Sequence, residues 1–323
     1  MKLAIMATGW IAEKMAVTVT EMAGVERYAV ASRSLEKAEA FAKQYGFEKA
    51  YGSYEELVQD PEVELVYVAT PHSHHYACAK LCLENGKPAL VEKAFCVNAK
   101  QARELIRLSE EKGVFLTEAF WTRFMPARAM VEDLLARDVI GEITSVTASF
   151  GLALENRERL VKPELAGGAL LDLGVYPLNF ALMFVRSEVT DITSSAVLSP
   201  EGVDWSNGVN LTFENGCQAL LHSNMRSLVR NEGVIYGKKG YIEVINTNDP
   251  EVIIVHDMHG NVIERLDRPE QITGYEYEIL ACMEALQQGK IECEQMPHSE
   301  TLRMMDLLDQ MREQWGMKFP CED

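Results

Sequence analysis

The spacing of hydrophobic and polar positions changes near residue 126 of this 323-residue chain. Before that point, short continuous apolar runs alternate with stretches whose apolar residues repeat with the period of a helix. Apolar runs bounded by turn residues are typical of strands buried in a parallel sheet, and helices between them form its crossover connections. The pattern predicts a doubly wound α/β domain, with strands at residues 2–6, 28–31, 50–51, 65–69, 89–91 and 114–117.

After Pro126, apolar and polar residues alternate with a period of two, as in strands that bury one face. The turns between these strands carry the Asn-Gly and Lys-Gly patterns of hairpins, as in Glu214-Asn215-Gly216 and Lys238-Lys239-Gly240. The alternation predicts an α+β domain built on an open, mostly antiparallel sheet, closed by helices at 275–288 and 299–315. The expected domains are residues 1–122 and 123–323.

The first predicted strand leads into Ala7-Thr8-Gly9-Trp10-Ile11-Ala12, a variant of the G-x-G-x-x-G/A turn. In that turn the second glycine lets the backbone approach a pyrophosphate, which the N-terminus of the next helix attracts. Gly9 keeps this position, whereas Ala7 replaces the first glycine and can serve there if its φ is negative. The turn predicts dinucleotide binding by residues 7–11; a strand–turn–helix without a ligand is the alternative.

The second predicted strand ends in Ser32-Arg33-Ser34, without the acidic residue that would bind a ribose 2′-hydroxyl. Ser32 and Arg33 can instead hydrogen-bond and pair with a 2′-phosphate, which favours NADP over NAD. Lys37, one helical turn further on, either reinforces this preference or faces solvent.

Lys93 follows the buried strand at 89–91, together with Glu92, at the strand end where open α/β sheets bind ligands. A partly desolvated lysine has a lowered pKa and can take part in proton transfer. The alternative is an ordinary lysine at a strand end. Asn98 and Gln101 predict a capping box at the start of the next helix, and Gly113 predicts its end.

Asp172 and Tyr176 lie within an otherwise apolar stretch and are four residues apart, so a helix would place them on one face. Burying a carboxylate and a phenol is costly without partners or a purpose, although a hydrogen-bonded core helix is the alternative. Residues 166–185 are about long enough to span a membrane. Asp172, Pro177 and Asn179 are costly in lipid, so we expect a buried helix instead.

Three histidines occur close together in Thr70-Pro71-His72-Ser73-His74-His75, but no carboxylate or cysteine lies beside them. We therefore expect no metal site. Thr70 and Pro71 are expected to shape a loop along the cofactor, and His75 to form hydrogen bonds at a helix start.

The overall composition excludes several classes of partner. A formal net charge of −18 disfavours binding to nucleic acid or to an anionic membrane, because both require a basic patch. The seven cysteines lack zinc-binding spacing, which favours free thiols and a cytoplasmic location. Arg157 and Arg159 either contact an anionic or hydroxylated substrate or face water, and we expect the second.

These motifs occur in one order, from the Ala7 turn through Ser32-Arg33, Thr70-Pro71, Glu92-Lys93 and Glu118–Pro126 to Gly167–Pro177. In this order the chain resembles the Gfo/Idh/MocA family of oxidoreductases, from Lys2 to about Pro320. Within that family it is most similar to the branch of dimeric dihydrodiol dehydrogenases and NADP-dependent D-xylose dehydrogenases. The resemblance implies a Rossmann domain, an open antiparallel sheet, and a site in the cleft between the two domains.

The resemblance also implies roles for individual residues. Hydride would pass between a carbinol carbon and C4 of the nicotinamide, with Tyr176 as acid/base, its pKa lowered by Lys93. Asp172 would orient the substrate or Lys93, and Glu92, Trp121 and Arg123 would lie along the cofactor. Ala94 departs from the proline that follows the family's lysine, so the rigidity of this loop differs from the family pattern.

The function that follows is an NADP-dependent dehydrogenase acting on a small-molecule sugar, polyol or trans-dihydrodiol. A non-catalytic NADP-binding regulator or sensor is the alternative, because this fold can host both. Retention of Lys93, Asp172 and Tyr176 disfavours a sensor, which has no need of an acid/base set. An open sheet with a partly apolar face also predicts a dimer or tetramer.

Overall fold

The computed structural model describes residues 1–322, which divide into two compact units. The first unit comprises residues 1–124 and 271–305, and the second comprises residues 125–270 and those from 306 onward. The division near residue 124 lies close to the predicted one. The structure differs from the predicted second domain, 123–323, because residues 271–305 belong to the first unit.

The first unit is built on a six-stranded parallel sheet with the order β3-β2-β1-β4-β5-β6. This order confirms the doubly wound α/β fold. The strands are β1 (Lys2–Met6), β2 (Glu26–Ala31), β3 (Lys49–Tyr51), β4 (Leu65–Val68), β5 (Ala89–Glu92) and β6 (Leu116–Ala119). The helices between them are α1 (Trp10–Thr20), α2 (Leu35–Tyr45), α3 (Tyr54–Gln59), α4 (His72–Glu84) and α5 (Ala99–Lys112).

The ends of α5 confirm the local signals in the sequence. The Asn98 side chain accepts a hydrogen bond from the Gln101 backbone N–H at 2.9 Å, as an N-cap residue does. Gly113 ends the helix with φ at 63°, in the left-handed region that favours glycine. Capping depends only on neighbouring residues, so the sequence alone located this helix.

The second unit contains an eight-stranded sheet with the order β14-β13-β12-β11-β7-β10-β9-β8. All neighbouring pairs are antiparallel except β7 and β10, which confirms the predicted mostly antiparallel sheet. The strands are β7 (Ile143–Gly151), β8 (Val189–Leu198), β9 (Asp204–Phe213), β10 (Gln218–Asn224), β11 (Val229–Gly237), β12 (Gly240–Ile245), β13 (Val252–Asp257) and β14 (Val262–Asp267). The strand β14 lies at the sheet edge, and its residues are largely exposed.

Three helices accompany this sheet: α6 (Pro126–Ala136), α7 (Glu158–Val161) and α8 (Val175–Phe184). The segment Pro163–Phe184 is long and apolar enough to cross a membrane by length and composition alone. However, 94% of its most apolar window is buried inside the protein, as expected for a core helix. The buried helix predicted at 166–185 is confirmed as buried, but its backbone is not one regular helix.

Residues 271–305 return to the first unit because α9 (Glu276–Gln287) has an apolar face that packs into that unit's core. Ile279, Cys282 and Ala285 are buried in the same cluster as Leu3 and Ile5 of β1. The last helix, α10 (His298–Trp315), crosses the division, with residues up to 305 in the first unit. The helical period of α9 predicted a buried face, but a period does not say which sheet buries it.

Candidate active site

The predicted cofactor-binding residues of the first unit follow the carboxyl ends of its parallel strands. Ala7 follows β1, Ser32 follows β2, Thr70 lies just beyond β4, Lys93 follows β5, and Trp121 lies just beyond β6. Parallel strands share one carboxyl edge, so the structure brings these residues to the same edge of the sheet. In open α/β sheets this edge is where ligands bind.

The glycine turn leaves the start of α1 uncovered. Gly9 is the N-cap residue of α1, with φ at −84°, which any residue can adopt. A Cβ atom added at Gly9 would meet no protein atom within 4 Å. Neither backbone conformation nor packing therefore requires glycine here. Its missing side chain leaves the free N–H groups at the start of α1 accessible, which fits close approach of a dinucleotide pyrophosphate.

Ala7 has a backbone conformation that alanine disfavours. Its φ is 93°, and its N–H donates to the Ala31 carbonyl at 2.9 Å, which links the turn to the end of β2. The negative φ that would let alanine replace glycine without strain is therefore not present. An L-residue in this region carries a steric cost of about 1–2 kcal/mol.

Replacing Ala7 with glycine should raise the free energy of unfolding by about 1 kcal/mol, because glycine removes this steric cost. We also expect tighter NADP⁺ binding, since the turn no longer has to be held in a strained state. Urea denaturation and NADP⁺ titration measure the two effects. Ala12→Gly, inside α1, is the matched control and should destabilise the protein; equal losses in both variants would contradict the strain at Ala7.

The end of β2 presents positive charge and no directly adjacent carboxylate. Ser32 is buried, and its N–H donates to the Tyr51 carbonyl at 3.2 Å. Arg33 and Lys37 are exposed. Burial and the charge of Arg33 both lower the pKa of His74, which lies in the first turn of α4. Cationic groups at this position fit a 2′-phosphate better than a 2′-hydroxyl.

Lys93 is half-buried directly after β5, and the peptide bond from Lys93 to Ala94 is cis. His75 holds this loop: its Nδ1 lies 2.8 Å from the Ala94 carbonyl oxygen, and its Nε2 lies 2.8 Å from the Thr70 carbonyl oxygen. Burial lowers the pKa of His75 to about 4, so at neutral pH the neutral ring carries a single N–H and donates to one of these two carbonyl oxygens. His75 thus connects the Thr70 loop to the Lys93 loop, and direct contact with a cofactor stays a prediction.

Buried carboxyl groups surround the Lys93 loop in the first unit. Glu92 accepts a hydrogen bond from the Tyr67 hydroxyl. Glu118 accepts from the Phe95 N–H at 3.2 Å and from the Thr301 hydroxyl at 3.0 Å, and burial raises the pKa of Glu118 to about 7. The hydrogen bond to Phe95 anchors the chain two residues beyond Lys93. Sequence reasoning missed this role of Glu118, although the residue begins the motif that contains Trp121.

Trp121 and Arg123 are also buried. Trp121 stacks on Tyr275 with ring centroids 4.3 Å apart. Arg123 is 3% exposed, and its Nη2 donates to Glu300 Oε2 at 2.9 Å. This ion pair accounts for the burial of the guanidinium group. The roles of Trp121 and Arg123 along a cofactor stay predictions.

Asp172 and Tyr176 belong to the second unit, and the backbone between them is not a regular α-helix. Asp172 lies in a π-helix formed by Leu170–Gly174, and Tyr176 lies in the first turn of α8. The physical reason is Pro177, which has no N–H and in an α-helix would clash with the carbonyl of Leu173. The wider π-helical turn precedes this proline in the chain. Such π-helical turns occur frequently at functional sites.

Both side chains are largely buried. Asp172 is 6% exposed, and its Oδ1 accepts a hydrogen bond from Arg159 Nη2 at 3.0 Å. Arg157 and Arg159 are both exposed, as expected, but the Arg159 guanidinium also pairs with Asp172, which the sequence did not predict. Tyr176 packs edge-to-face against Phe150, with ring centroids 5.5 Å apart. The short segment from Asp172 to Tyr176 therefore carries a carboxylate and a phenol, and the Arg159 guanidinium pairs with the carboxylate.

The three clustered histidines have individual surroundings. His72 and His75 pack edge-to-face, and His74 Nδ1 lies 2.9 Å from the Ser73 hydroxyl. Within residues 1–322, no group of three or more histidine, cysteine, aspartate or glutamate side chains is arranged to hold a metal ion.

The sheet order, the glycine turn and the strand-end residues define a dinucleotide-binding domain of the Rossmann class. Residues 1–120 match the oxidoreductase family with an NAD-binding Rossmann fold, and residues 129–243 match the GFO/IDH/MocA C-terminal domain. The chain belongs to the Gfo/Idh/MocA family, as its motifs predicted.

Relatives with established names match the chain over nearly its whole length. Trans-1,2-dihydrobenzene-1,2-diol dehydrogenase of Xenopus tropicalis is 34% identical over 327 aligned positions, covering 99% of each chain. The enzyme of the same name from Mus musculus is 32% identical, covering 98% of this chain and 97% of its own. Both alignments span the two units, so the similarity is not restricted to the Rossmann domain.

Solved structures show the same architecture. The 3-ketoreductase KijD10 from Actinomadura kijaniata, in complex with NADP and TDP-benzene, superimposes with a TM-score of 0.86 at 26% identity and covers 97% of each chain. The aldose-aldose oxidoreductase from Caulobacter crescentus has a TM-score of 0.88 at 20% identity, covering 97% of this chain and 96% of its own. The second comparison concerns the fold alone.

Proposed function

We propose that this protein is an NADP-dependent dehydrogenase that interconverts a carbinol and a carbonyl group in a trans-dihydrodiol, a sugar or a polyol. The observation that carries the proposal is the presence of Lys93, Asp172 and Tyr176 in a chain aligned end to end with dihydrodiol dehydrogenases. The basic end of β2 and the NADP bound by KijD10 support NADP as the cofactor.

The residues that would hold NADP are those at the carboxyl edge of the parallel sheet. The start of α1 after Gly9 would bind the pyrophosphate, and Ser32, Arg33 and Lys37 would bind the 2′-phosphate. When bound, the nicotinamide accepts or supplies the hydride. The open space beside Gly9 fits this group.

The chain's own residues perform the acid/base part of the reaction. Tyr176 takes the proton from the carbinol oxygen in oxidation and returns it in reduction. The Lys93 ammonium group stabilises negative charge that develops on this oxygen, because the half-buried position weakens solvent screening. Asp172, held by Arg159, orients the substrate hydroxyl.

The experiment that tests this function is NADPH formation with a panel of trans-dihydrodiols, aldopyranoses and inositols, with NAD⁺ run in parallel. We expect turnover with NADP⁺ on at least one substrate class, and a loss of the preference for NADP⁺ in Arg33→Ala. Tight NADP⁺ binding without turnover of any substrate would favour the sensor alternative, which no present observation supports.

We also propose that the second unit associates with another copy of the chain through its sheet. Large apolar side chains are exposed on β8, β10 and β14: Val197, Leu198, Leu220, Val262 and Ile263. β8 and β14 are the two edges of the sheet, and exposed apolar side chains there and on β10 favour contact with another subunit. Sedimentation velocity at micromolar concentration should show a dimer or tetramer, and Leu220→Lys should shift it toward monomer. A wild-type monomer would contradict the proposal.

A cytoplasmic location is proposed from the cysteines. Six of the seven are buried thiols that form no disulfide bond, so the fold does not depend on an oxidising compartment.

A further inference from the structure

The π-helix that carries Asp172 is capped at its N-terminal end by a carboxylate from a distant part of the same unit. Asp204, at the start of β9, accepts hydrogen bonds from the Leu170 N–H, at 2.9 Å to Oδ2 and 3.2 Å to Oδ1. The first N–H groups of a helix have no partner within the helix and need such an acceptor. The two residues are 34 positions apart in the chain. Asp204 therefore caps the helix from outside its own segment.

Asp204 is itself held in place. It is completely buried. Asn207, three residues further along β9, donates a hydrogen bond from Nδ2 to Asp204 Oδ2 at 2.8 Å. Because its exposed fraction is zero, Asp204 has no route to touch a substrate. Any effect that it has on the reaction must pass through the backbone that it binds.

Gly168, just before the π-helix, makes room for this carboxylate. Gly168 has φ at +111°, and a Cβ atom there would lie 2.3 Å from Asp204 Oδ1, far inside van der Waals contact. At the other end of the π-helix, a Cβ on Gly174 would lie 3.0 Å from the Ser223 hydroxyl and 3.5 Å from Asn207 Nδ2. Polar side chains from β9 and β10 therefore approach both ends of the segment, and Asp172 lies at its centre.

The charge of Asp204 suits its position. An anion at the N-terminal end of a helix is stabilised by the helix dipole and by charge-assisted hydrogen bonds. Burial raises the pKa of Asp204 to about 6, although the hydrogen bonds from Asn207, Leu170 and Ala169 oppose this shift. The group is thus mainly a carboxylate at neutral pH, when these hydrogen bonds are strongest.

We propose that Asp204 is a positioning residue for the reaction, which holds the π-helix so that the Asp172 carboxylate keeps its orientation toward the substrate. The inference rests on the proposed function, in which Asp172 orients the substrate hydroxyl. Asp204 and Asn207 form the fixed end of the segment, and Asp172 is the group whose position they determine. A displacement of about 1 Å at a reacting group can cost about 100-fold in rate.

The test uses Asp204→Asn. Asparagine keeps the size of the side chain but replaces one acceptor oxygen with an NH₂ group, which faces either the Leu170 N–H or Asn207 Nδ2, both of them donors. We expect kcat to fall by about 10- to 100-fold while the KM for NADP⁺ stays within about twofold, because the first unit is unchanged. Hydrogen exchange of the amides at 169–174 should accelerate. The double variant Asp204→Asn/Asn207→Asp reverses the hydrogen bond between the two side chains and should recover most of both losses.

Asp60→Asn is the matched control, because Asp60 is another buried, hydrogen-bonded aspartate, bound by Lys49 and Tyr51 in the first unit. This variant should lower stability without lowering kcat. Wild-type kcat in Asp204→Asn would overturn the proposal. So would a double variant that regains amide protection but remains as slow as the single variant. If the wild-type protein turned over no substrate, the proposed function would fail, and hydrogen exchange would still decide whether Asp204 holds the π-helix.

Discussion

Replacing Lys93 with methionine should reduce hydride transfer by about 10³-fold and leave NADP⁺ affinity within a few-fold. Methionine keeps the length and flexibility of the side chain but removes its charge and its proton. Lys93 is half-buried after β5, at the carboxyl edge of the sheet, where a charge is screened less than in bulk water. Stopped-flow measurement of NADPH formation isolates the chemical step, and fluorescence titration measures cofactor binding.

Lys100→Met provides the control for this experiment. Lys100 is exposed and lies in the first turn of α5, the helix that the Asn98 cap defines. Its replacement should change neither rate nor affinity. If Lys93→Met retained more than about a tenth of the wild-type rate, Lys93 would have no direct part in the reaction, since general acid–base and electrostatic groups contribute at least about 100-fold.

Replacing Tyr176 with phenylalanine should lower kcat by about 10²- to 10³-fold, with little change in stability. The ring packs against Phe150, and phenylalanine keeps this contact while it removes only the hydroxyl group. The variant should also lose the pH dependence of kcat that proton transfer to the phenol produces. A pH–rate profile between pH 6 and about 10, the ordinary pKa of tyrosine, measures this loss.

Tyr236→Phe, in β11 of the same unit, is the matched control and should behave as wild type. The double variant Lys93→Met/Tyr176→Phe examines whether the two residues act in one step. Residues that act as a unit are strongly non-additive, so the double variant should be no slower than the slower single variant. Multiplied losses would show that Lys93 and Tyr176 serve separate steps. A Tyr176→Phe variant with unchanged kcat would instead remove the phenol from the mechanism.

Several site features were predictable because they depend on neighbouring residues. The Asn98 cap and Gly113 define α5 through local hydrogen bonds. The strand-end position of Lys93 follows from a continuous apolar run that stops at a charged pair. The preference for NADP rests on the absence of an acidic residue directly after β2, which is likewise a local property.

Other features could not be predicted, because they are contacts between distant residues or backbone angles. The ion pair between Arg159 and Asp172 was not predictable because the two residues are 13 positions apart. The φ of Ala7 depends on the hydrogen bond that its N–H makes with Ala31 at the end of β2. Glu118 reads as an ordinary strand residue, and only the fold brings Phe95 and Thr301 to it.

The sequence by itself determined the two kinds of sheet, the order of the motifs and the family, because periodicity and short motifs are recorded residue by residue. The tertiary structure alone decided that residues 271–305 complete the first unit, that Asp172 lies in a π-helix, and that Asp204 caps this helix. These results depend on which apolar face meets which core and on which buried donor finds an acceptor. These contacts join segments that are far apart in the chain, so no local sequence pattern predicts them.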